Sequence, residues 1–276
     1  MSRIRYGASN IWLEIVMIAA VVAFIFPVYV MVTMAFKSSA EVAESAIALP
    51  QSLNLENFTN AWAEGELGRA LANSVVVTSL SIVLLVLIGS AAAFTIVRGG
   101  RRIHGVLLML FLLGMMIPLQ LGMVPLYTLM RDLGLLQTYT SLIVFHVGSL
   151  LPITIFLYTG FLRAQSPTYE EAARVDGASQ WQVYSRIAFP LLRPVTGTVI
   201  IINAINIWND FLTPLLYLGG SDKRTLTVAI YAFRGEYATN WGMTFAGIVM
   251  AILPVLIVYF LLQKYIIKGF ASGLKG

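Results

Sequence analysis

Two adjacent carboxylates, Glu170 and Glu171, lie in the polar stretch from Ser166 to Pro194, SPTYEEAARVDGASQWQVYSRIAFPLLRP. They fall in the first turn of a predicted short helix, where the helix dipole favours negative charge. Ala172 and Ala173 follow them and add almost no bulk, so this end of the helix can enter a cleft. A carboxylate presented in this way can bind a cationic partner through a charge-assisted hydrogen bond.

The stretch is predicted to form two short helices joined by a turn. In one interpretation Ser166 is the N-cap of the first helix and Pro167 takes the first helical position. In the other, Thr168 is the N-cap and Glu171 completes a capping box. Both starts stay open. Gly177 is expected to end the helix, because glycine adopts the backbone conformation that such ends require.

The second helix is predicted to begin at a capping box of Ser179 and Gln182. Pro190 and Pro194 are expected to end it before the next apolar run. Residues at helical spacing form its apolar face: Trp181, Tyr184, Ile187 and Ala188. Two short helices with a hinge at Gly177 can dock as one rigid unit.

The elements that must position these residues are long apolar helices. Of the 276 residues, 58% are hydrophobic and 11% are charged, whereas soluble domains have about 25% charged residues. The mean hydropathy is +0.82. Runs of about 20 apolar residues cross a bilayer as helices. Six are predicted in a single transmembrane domain, residues 1–276, at about 11–36, 71–97, 103–127, 140–162, 195–218 and 242–263. The predicted fold class is an all-α integral membrane protein with six transmembrane helices.

Polar residues inside two of these runs are candidates for a solute pathway. The third run is not expected to be a regular helix, because glycines and prolines interrupt it around Gln120. In the fifth run Asn203, Asn206 and Asp210 are predicted to share one helical face, with Trp208 off that face. Amides can bind sugar hydroxyls and an indole can stack on a sugar, but amides can equally join helices. Both interpretations stay open. The candidate pathway residues are Gln120, Asn206, Trp208, Asn209 and Asp210.

The net charge of +5 is distributed unevenly along the chain. With the N-terminus placed inside, twelve of the eighteen basic residues fall on inner segments: Arg3, Arg5, Arg98, Arg101, Arg102, Arg163, Arg174, Arg186, Arg193, Lys264, Lys268 and Lys275. This asymmetry predicts cytoplasmic N- and C-termini in a multi-pass membrane protein; the resemblance described below implies the cell inner membrane. Membrane topology therefore accounts for the positive net charge, and a nucleic-acid partner is not needed to explain it. Zero cysteines and two histidines leave almost no material for a metal or nucleophile site.

The polar stretch resembles the EAA loop of the membrane subunits of ABC importers, in Glu171-Ala172-Ala173, Gly177, Ile187 and Pro190. Its flanking residues resemble the carbohydrate-uptake branch, the family of the maltose, trehalose and glycerol-phosphate permeases, although Phe189 stands where Leu is usual. Three more stretches resemble this branch: Met123-Val124-Pro125-Leu126-Tyr127 with Leu133-Gly134-Leu135 and Thr138-Tyr139, Trp208-Asn209-Asp210-Phe211-Leu212, and the tail from Lys268 to Gly276.

The resemblance implies a type I ABC importer permease whose EAA loop, residues 166–193, couples to a separate ATPase. The implied coupling residues are Glu170, Glu171, Ala172, Ala173, Asp176, Gly177, Ile187 and Pro190. The tail, with Gly273, Lys275 and Gly276, is implied to reach between the ATPase subunits. The loop between the fifth and sixth runs, with Tyr231, Phe233 and Tyr237, is implied to contact an extracellular solute-binding protein. The other implied partners are a second permease subunit, two ATPase subunits, a sugar substrate and membrane lipid.

The predicted function is therefore that of a permease subunit that translocates a sugar or a related polar solute. The chain has no Gly-x-x-x-x-Gly-Lys-Ser/Thr phosphate loop. No enzymatic activity and no bound cofactor are expected of it, and ATP and Mg are expected on the partner ATPase subunits. The alternative is an ion-coupled secondary transporter of a small polar solute. That class normally needs carboxylates at membrane depth, where this chain has Asp210.

Overall fold

The computed structural model describes residues 8–233 and 240–273, and within those ranges the chain is helical and contains no strand. The helices are α1 (Ala8–Ala35), α2 (Ser39–Glu44), α3 (Glu56–Glu64), α4 (Leu67–Arg98), α5 (Arg102–Met116), α6 (Leu119–Asp132), α7 (Tyr139–Ala164), α8 (Thr168–Val175), α9 (Gln180–Val183), α10 (Phe189–Leu191), α11 (Arg193–Asn209), α12 (Leu212–Tyr217), α13 (Leu226–Tyr231) and α14 (Trp241–Gly273). A π turn, Tyr184–Ala188, joins α9 to α10.

The chain divides into two compact units. The first unit comprises residues 1–67 and 229–253, and the second comprises residues 68–228 and 254–276. Three helices of the described chain are long and apolar enough to cross a membrane, namely α1, α4 and α7. The number rises to five if the bent pairs α5–α6 and α9–α11 each count as one span. The expectation of six spans therefore remains a prediction.

In the first unit, polar side chains complete the end of α1 and hold the segment that follows it. The last carbonyls of a helix have no partner within the helix. Asn57 Nδ2 donates to the carbonyls of Ala35 and Lys37 at 2.9 and 2.8 Å. The side chain of Lys37 is buried, and its Nζ donates to the Ser45 carbonyl at 2.8 Å. These bonds order the chain between α1 and α3.

The carboxylate of Glu41 is a second anchor of the same segment. It accepts hydrogen bonds from the backbone N–H groups of Ser38, at 2.8 Å, and Gln51, at 2.6 Å. These two bonds, the Ser38 bond first, lower the pKa of Glu41 from its usual value of 4.5. Both bonds favour the charged form of the carboxyl group.

Acidification is expected to loosen the segment from Ser38 to Gln51. Because the pKa of Glu41 is lowered in the folded chain, its bonds stabilise the segment at neutral pH and are lost as the pH falls below 4.5 through the lowered pKa. The protection factors for amide hydrogen exchange of residues 38–51, which correct for the slower intrinsic exchange in acid, should therefore fall as the pH is lowered. Glu41→Gln should show fast exchange already at neutral pH. Equal exchange in wild type and variant at neutral pH would contradict this expectation.

The second unit contains the two breaks in the apolar runs. The expected interruption of the third run is confirmed: α5 ends at Met116, α6 begins at Leu119, and their axes differ by 100°. Pro118 stands immediately before α6. The prediction of one helix over 195–218 was wrong, because α11 ends at Asn209 and α12 begins at Leu212. An aspartate is suited to that junction, since Asp210 Oδ1 accepts from the Thr213 backbone N–H at 3.2 Å.

The core of the second unit packs α4 and α7 against the polar stretch. Phe94 of α4 lies 5.5 Å from the ring of Tyr184, and both are buried. Gly89 allows α4 to approach α7 closely, because a Cβ at this position would stand 2.5 Å from Thr154 Cγ2. Small residues at helix contacts serve this purpose in membrane proteins. The polar stretch is therefore anchored on a tightly packed helix pair.

Candidate coupling and solute sites

The first short helix of the polar stretch, α8, ends in a hydrogen-bonded turn at Gly177. The N–H of Gly177 donates to the Arg174 carbonyl at 3.1 Å, and the N–H of Ala178 donates to the Ala173 carbonyl at 2.9 Å. This pair of bonds is the Schellman motif. Gly177 has φ +84°, and a Cβ there would meet nothing within 4 Å. A non-glycine residue would therefore cost about 1 kcal/mol through the backbone alone.

The structure favours the first of the two predicted starts of α8. The helix begins at Thr168 with Pro167 immediately before it, and the Glu171 backbone N–H donates to the Pro167 carbonyl at 2.9 Å. The Ser166 hydroxyl accepts from the Thr168 backbone N–H at 3.4 Å and bonds to the Thr168 hydroxyl at 2.6 Å. The alternative capping box of Thr168 and Glu171 is not formed. Proline is suited to this boundary because it lacks the N–H that the first turn would leave unsatisfied.

The second short helix begins as predicted, with a capping box of Ser179 and Gln182. Its predicted continuation was wrong, because residues Tyr184–Ala188 form a π turn. Trp181 is exposed and Tyr184 is buried, although the centroids of their rings lie 5.5 Å apart. The helix ends at Leu191, between Pro190 and Pro194 as predicted, and a bend of 74° leads into α11.

The two adjacent glutamates of α8 differ in burial, since Glu170 faces the interior and Glu171 is exposed. Glu170 is buried, and its Oε2 accepts from Arg98 Nε at 2.8 Å, with side-chain exposures of 3% and 13%. Arg98 also donates to the Gln165 carbonyl at 3.3 Å, and Arg174 Nη2 lies 3.8 Å from Glu170 Oε2. Glu170 therefore fastens α8 to the end of α4, and its carboxylate is not available to another protein.

The exposed side of α8 and the turn that follows it carry Glu171 together with exposed apolar side chains. Tyr169, Val175 and Trp181 are exposed by 71%, 87% and 69%. Ala172, Asp176 and Gly177 are also exposed, whereas Ala173 and Ile187 are half-buried. An acidic group among exposed apolar side chains is typical of a protein-binding surface. These residues, Tyr169, Glu171, Ala172, Val175, Asp176 and Trp181, are termed the coupling face.

The predicted common face of Asn203, Asn206 and Asp210 is not formed. Asn203 is fully buried and donates to Thr154 Oγ1 at 3.0 Å, so it joins α11 to α7. Asn206 and Asn209 are exposed, and each donates its amide to the carbonyl four residues earlier at 2.8 Å. An amide has two donor hydrogens and an acceptor oxygen, so one such bond leaves capacity for a solute.

Asp210 stands at the end of α11, close to a histidine of α7. Its Oδ2 lies 3.8 Å from Nε2 of the buried His146, which is beyond hydrogen-bond distance. Its carbonyl accepts from the Thr227 hydroxyl at 2.8 Å. Asp210 therefore joins α11 to α13 in the second unit. Its carboxylate is partly exposed, so it borders the surface that holds Asn209.

Trp208 and Gln120 occupy different surroundings from the α11 amides. Trp208 lines an apolar cavity of ≈ 660 Å³ between α4, α11 and α14, and neither Asn206 nor Asn209 lines it. Gln120 is exposed at the start of α6, immediately after the break in the third run. Across the described ranges, no side-chain hydrogen bond joins Gln120 to these amides.

A family model for the inner-membrane component of binding-protein-dependent transport systems matches residues 85–271. The chain is 36% identical to the melibiose/raffinose/stachyose import permease protein MelC of Bacillus subtilis, over 94% of this chain and 95% of the relative. It is 34% identical to the multiple sugar-binding transport system permease protein MsmG of Streptococcus mutans, over 95% of each chain.

This chain belongs to that family of inner-membrane components. It is the permease of an ABC importer, which decides against an ion-coupled secondary transporter. The fold agrees. A chain in the crystal structure of a bacterial alginate ABC transporter superposes with TM-score 0.79 and 23% identity, covering 95% of the permease and 99% of that chain. A second structure of an alginate transporter, in complex with an alginate pentasaccharide-bound periplasmic protein, superposes with TM-score 0.68 and 17% identity over 92% and 93%.

The residues implied to contact a binding protein differ in exposure. Tyr231 of the permease is exposed by 49%. Phe233 is half-buried in the first unit, where a Cβ at Gly65 or Gly247 would meet its ring. Tyr237 lies outside the described residues. In the tail, Gly273 is the last residue of α14, and Lys275 and Gly276 lie outside the described residues.

Sequence reasoning about the permease missed the partners that hold its sites. Arg98 was interpreted only as a topology signal, although it binds Glu170. No role was predicted for Asn73, yet its side chain bonds two other segments of the second unit. The available signal was a polar side chain within or at the end of an apolar helix, because such a group requires a partner. That signal does not identify the partner.

Proposed function

We propose that the coupling face of the permease docks into a cleft of a separate ATPase subunit and that Glu171 binds a cationic side chain there. The single observation that carries this proposal is the exposed carboxylate of Glu171 among exposed Tyr169, Val175 and Trp181. A charge-assisted bond supplies orientation and the apolar side chains supply buried area. The buried pair Arg98–Glu170 supports the rigidity that such a contact needs.

ATP-driven closure of two such ATPase subunits would draw the coupling faces of the permease and a second permease subunit together. The bilayer spans would then switch between inward-open and outward-open states. Differential binding of the closed ATPase pair to one state supplies the free energy. ATP and Mg act on the ATPase subunits in this mechanism, and the C-terminal tail reaches between those subunits.

The proposed solute is a sugar, and the proposed source is an extracellular solute-binding protein that docks on the loop after α12. The names of the sugar permeases MelC and MsmG support this class of solute. Exposed amides at Asn206 and Asn209, beside the Asp210 carboxylate, are suited to hydroxyl groups. Trp208 lines an apolar cavity away from these amides, so the proposal assigns the sugar contact to the amides and not to stacking on Trp208.

Replacing Asn206 or Asn209 by Ala is expected to lower sugar uptake about 10-fold, or to change which sugar is preferred, while the complex still assembles. Uptake of radiolabelled mono- and oligosaccharides into proteoliposomes measures this effect. Asn203→Ala is the matched control, because Asn203 is buried and bonds Thr154. It should lower thermal stability without changing preference. Loss of assembly in the Asn206 and Asn209 variants would instead assign these amides to contacts between helices.

The proposed topology has both termini and the coupling face in the cytoplasm. Reporter fusions after Arg101, or within Ser166 to Pro190, are expected to report the cytoplasm, because the basic residues concentrate on that side. Fusions near Glu56 or Lys223 are expected to report the exterior. An external signal from the Ser166–Pro190 fusions would remove the basis for ATPase docking at this site.

A further inference from the structure

One end of α4 is fastened to the loop that precedes α13. The amide of Asn73, which is buried, donates to the Arg224 carbonyl at 2.9 Å. Its oxygen accepts from the Tyr139 hydroxyl at 2.7 Å, so the same side chain also binds the first turn of α7. The neighbouring buried Ser74 accepts from the Leu226 backbone N–H at 2.9 Å. Breaking such bonds leaves buried polar groups without partners.

The other end of α4 is fastened to the unit that carries the coupling face. The buried hydroxyls of Ser90 and Tyr184 share a hydrogen bond of 2.8 Å, and Tyr184 opens the π turn. Two turns later, Arg98 binds Glu170 of α8. Glu170 precedes Gly177 in the sequence and Tyr184 follows it, so the segments on both sides of the hinge are attached to the same helix, α4. π turns occur frequently at functional sites.

The helix between these attachments, α4, is continuous over 32 residues. Arg98 follows Asn73 by 25 residues, which is about 38 Å along a helix axis. α4 contains no proline, whereas α1, α7 and α14 contain Pro27, Pro152 and Pro254. The apolar runs around α5 and α11 bend by 100° and 74°. Displacement at one end of an unbroken helix is passed on to the other end with little loss.

We propose that α4 is a transmission rod that links the loop Gly219–Leu226 to the coupling face, with Asn73 and Tyr184 as its positioning residues. Binding-protein docking at the loop then shifts α4, and α4 moves the coupling face against the ATPase. This inference rests on the proposed function of the loop and of the coupling face. It adds the route between them, a chain of hydrogen bonds and rigid packing within the second unit.

The test uses the complete importer in proteoliposomes and the substrate-loaded binding protein. The variants are Asn73→Ala, Tyr184→Phe and the double variant. Tyr184→Phe removes a single hydroxyl, and Ser90 keeps its bond to the Val86 carbonyl, so folding should be preserved. Thr95→Ala is the control, because the exposed Thr95 hydroxyl donates to the Ala91 carbonyl of the same helix. The readouts are ATPase association, ATPase rate without binding protein, and its stimulation by binding protein.

Each single variant is expected to lose at least about 10-fold of the stimulation and to retain its ATPase subunits, while Thr95→Ala behaves as wild type. The double variant is expected to match the worse single variant, because both changes interrupt one serial path. Distant, independent sites would instead give losses that multiply. Multiplied losses, or full stimulation in either single variant, overturn the rod. Glu171→Ala with normal ATPase association overturns the proposed function itself, so the two failures are distinguishable.

Discussion

Replacing Glu171 by Ala is expected to weaken ATPase attachment about 10- to 100-fold while the permease folds and inserts normally. The carboxylate is exposed on the coupling face, so its removal leaves no buried group unsatisfied. A charge-assisted hydrogen bond is worth about 1.5–3 kcal/mol, which corresponds to that range of affinities. Binding of the purified ATPase to the permease in nanodiscs measures the effect. Uptake should fall with it.

Two controls separate this contact from a general effect of charge. Glu44→Ala removes an exposed acid of the first unit and should leave attachment unchanged. Raising the salt concentration should weaken wild-type attachment more than that of Glu171→Ala, because screening acts on the charge that the variant lacks. Wild-type affinity in Glu171→Ala would falsify the assignment of Glu171 to the ATPase contact.

Replacing the preceding residue, Glu170, by Ala is expected to destabilise the permease by about 3–5 kcal/mol, because Arg98 is left as an unpaired charge in a mostly buried site. The measurement is thermal unfolding of the purified subunit in detergent, compared with Glu171→Ala. A lower midpoint is expected for Glu170→Ala, together with faster proteolysis within residues 166–193. Glu170→Ala should therefore lower the stability of the permease, whereas Glu171→Ala should weaken ATPase attachment and leave the stability unchanged.

Removing both charges should recover much of the lost stability. Glu170→Leu combined with Arg98→Met replaces the ion pair by apolar groups of similar volume, and such replacements are often neutral or stabilising. Each single change should lower the midpoint of thermal unfolding more than the double change does. If Glu170→Ala unfolds at the temperature of Glu171→Ala, the Arg98–Glu170 pair contributes no stability, and the attachment of α8 to α4 has to rest on apolar packing.

Several local features could be predicted because nearby residues determine them. The hinge at Gly177 and the capping box of Ser179 and Gln182 each involve residues within five positions of one another. The break around Pro118 also depends on local backbone restrictions. The first helix begins at Thr168, one residue after the predicted first position at Pro167, which is within the usual uncertainty of helix boundaries. The π turn gave no local signal.

The fifth apolar run shows where hydrophobicity stops being informative. Its composition predicts one helix, but the chain breaks at Asp210, whose carbonyl accepts a long-range hydrogen bond from the Thr227 hydroxyl in place of a helical one. Asn203 and Asn206 are spaced for one face, yet Asn203 is buried against Thr154 and Asn206 is exposed. Helical spacing assigns an angle around an axis, and only the neighbouring helices decide which angles are buried.

The sequence by itself determined that this chain is a helical membrane protein with a polar, hinged unit at residues 166–194, because composition and local patterns carry that information, and its motifs resemble those of the family to which it belongs. Only the tertiary structure decided that Glu170 faces inward and Glu171 outward. The partner of Glu170, Arg98, is 72 residues away, and no local rule selects it. Buried polar groups take whichever partner the packed helices bring within reach, so the attachments of α4 at Asn73 and Tyr184 exist only in the folded chain.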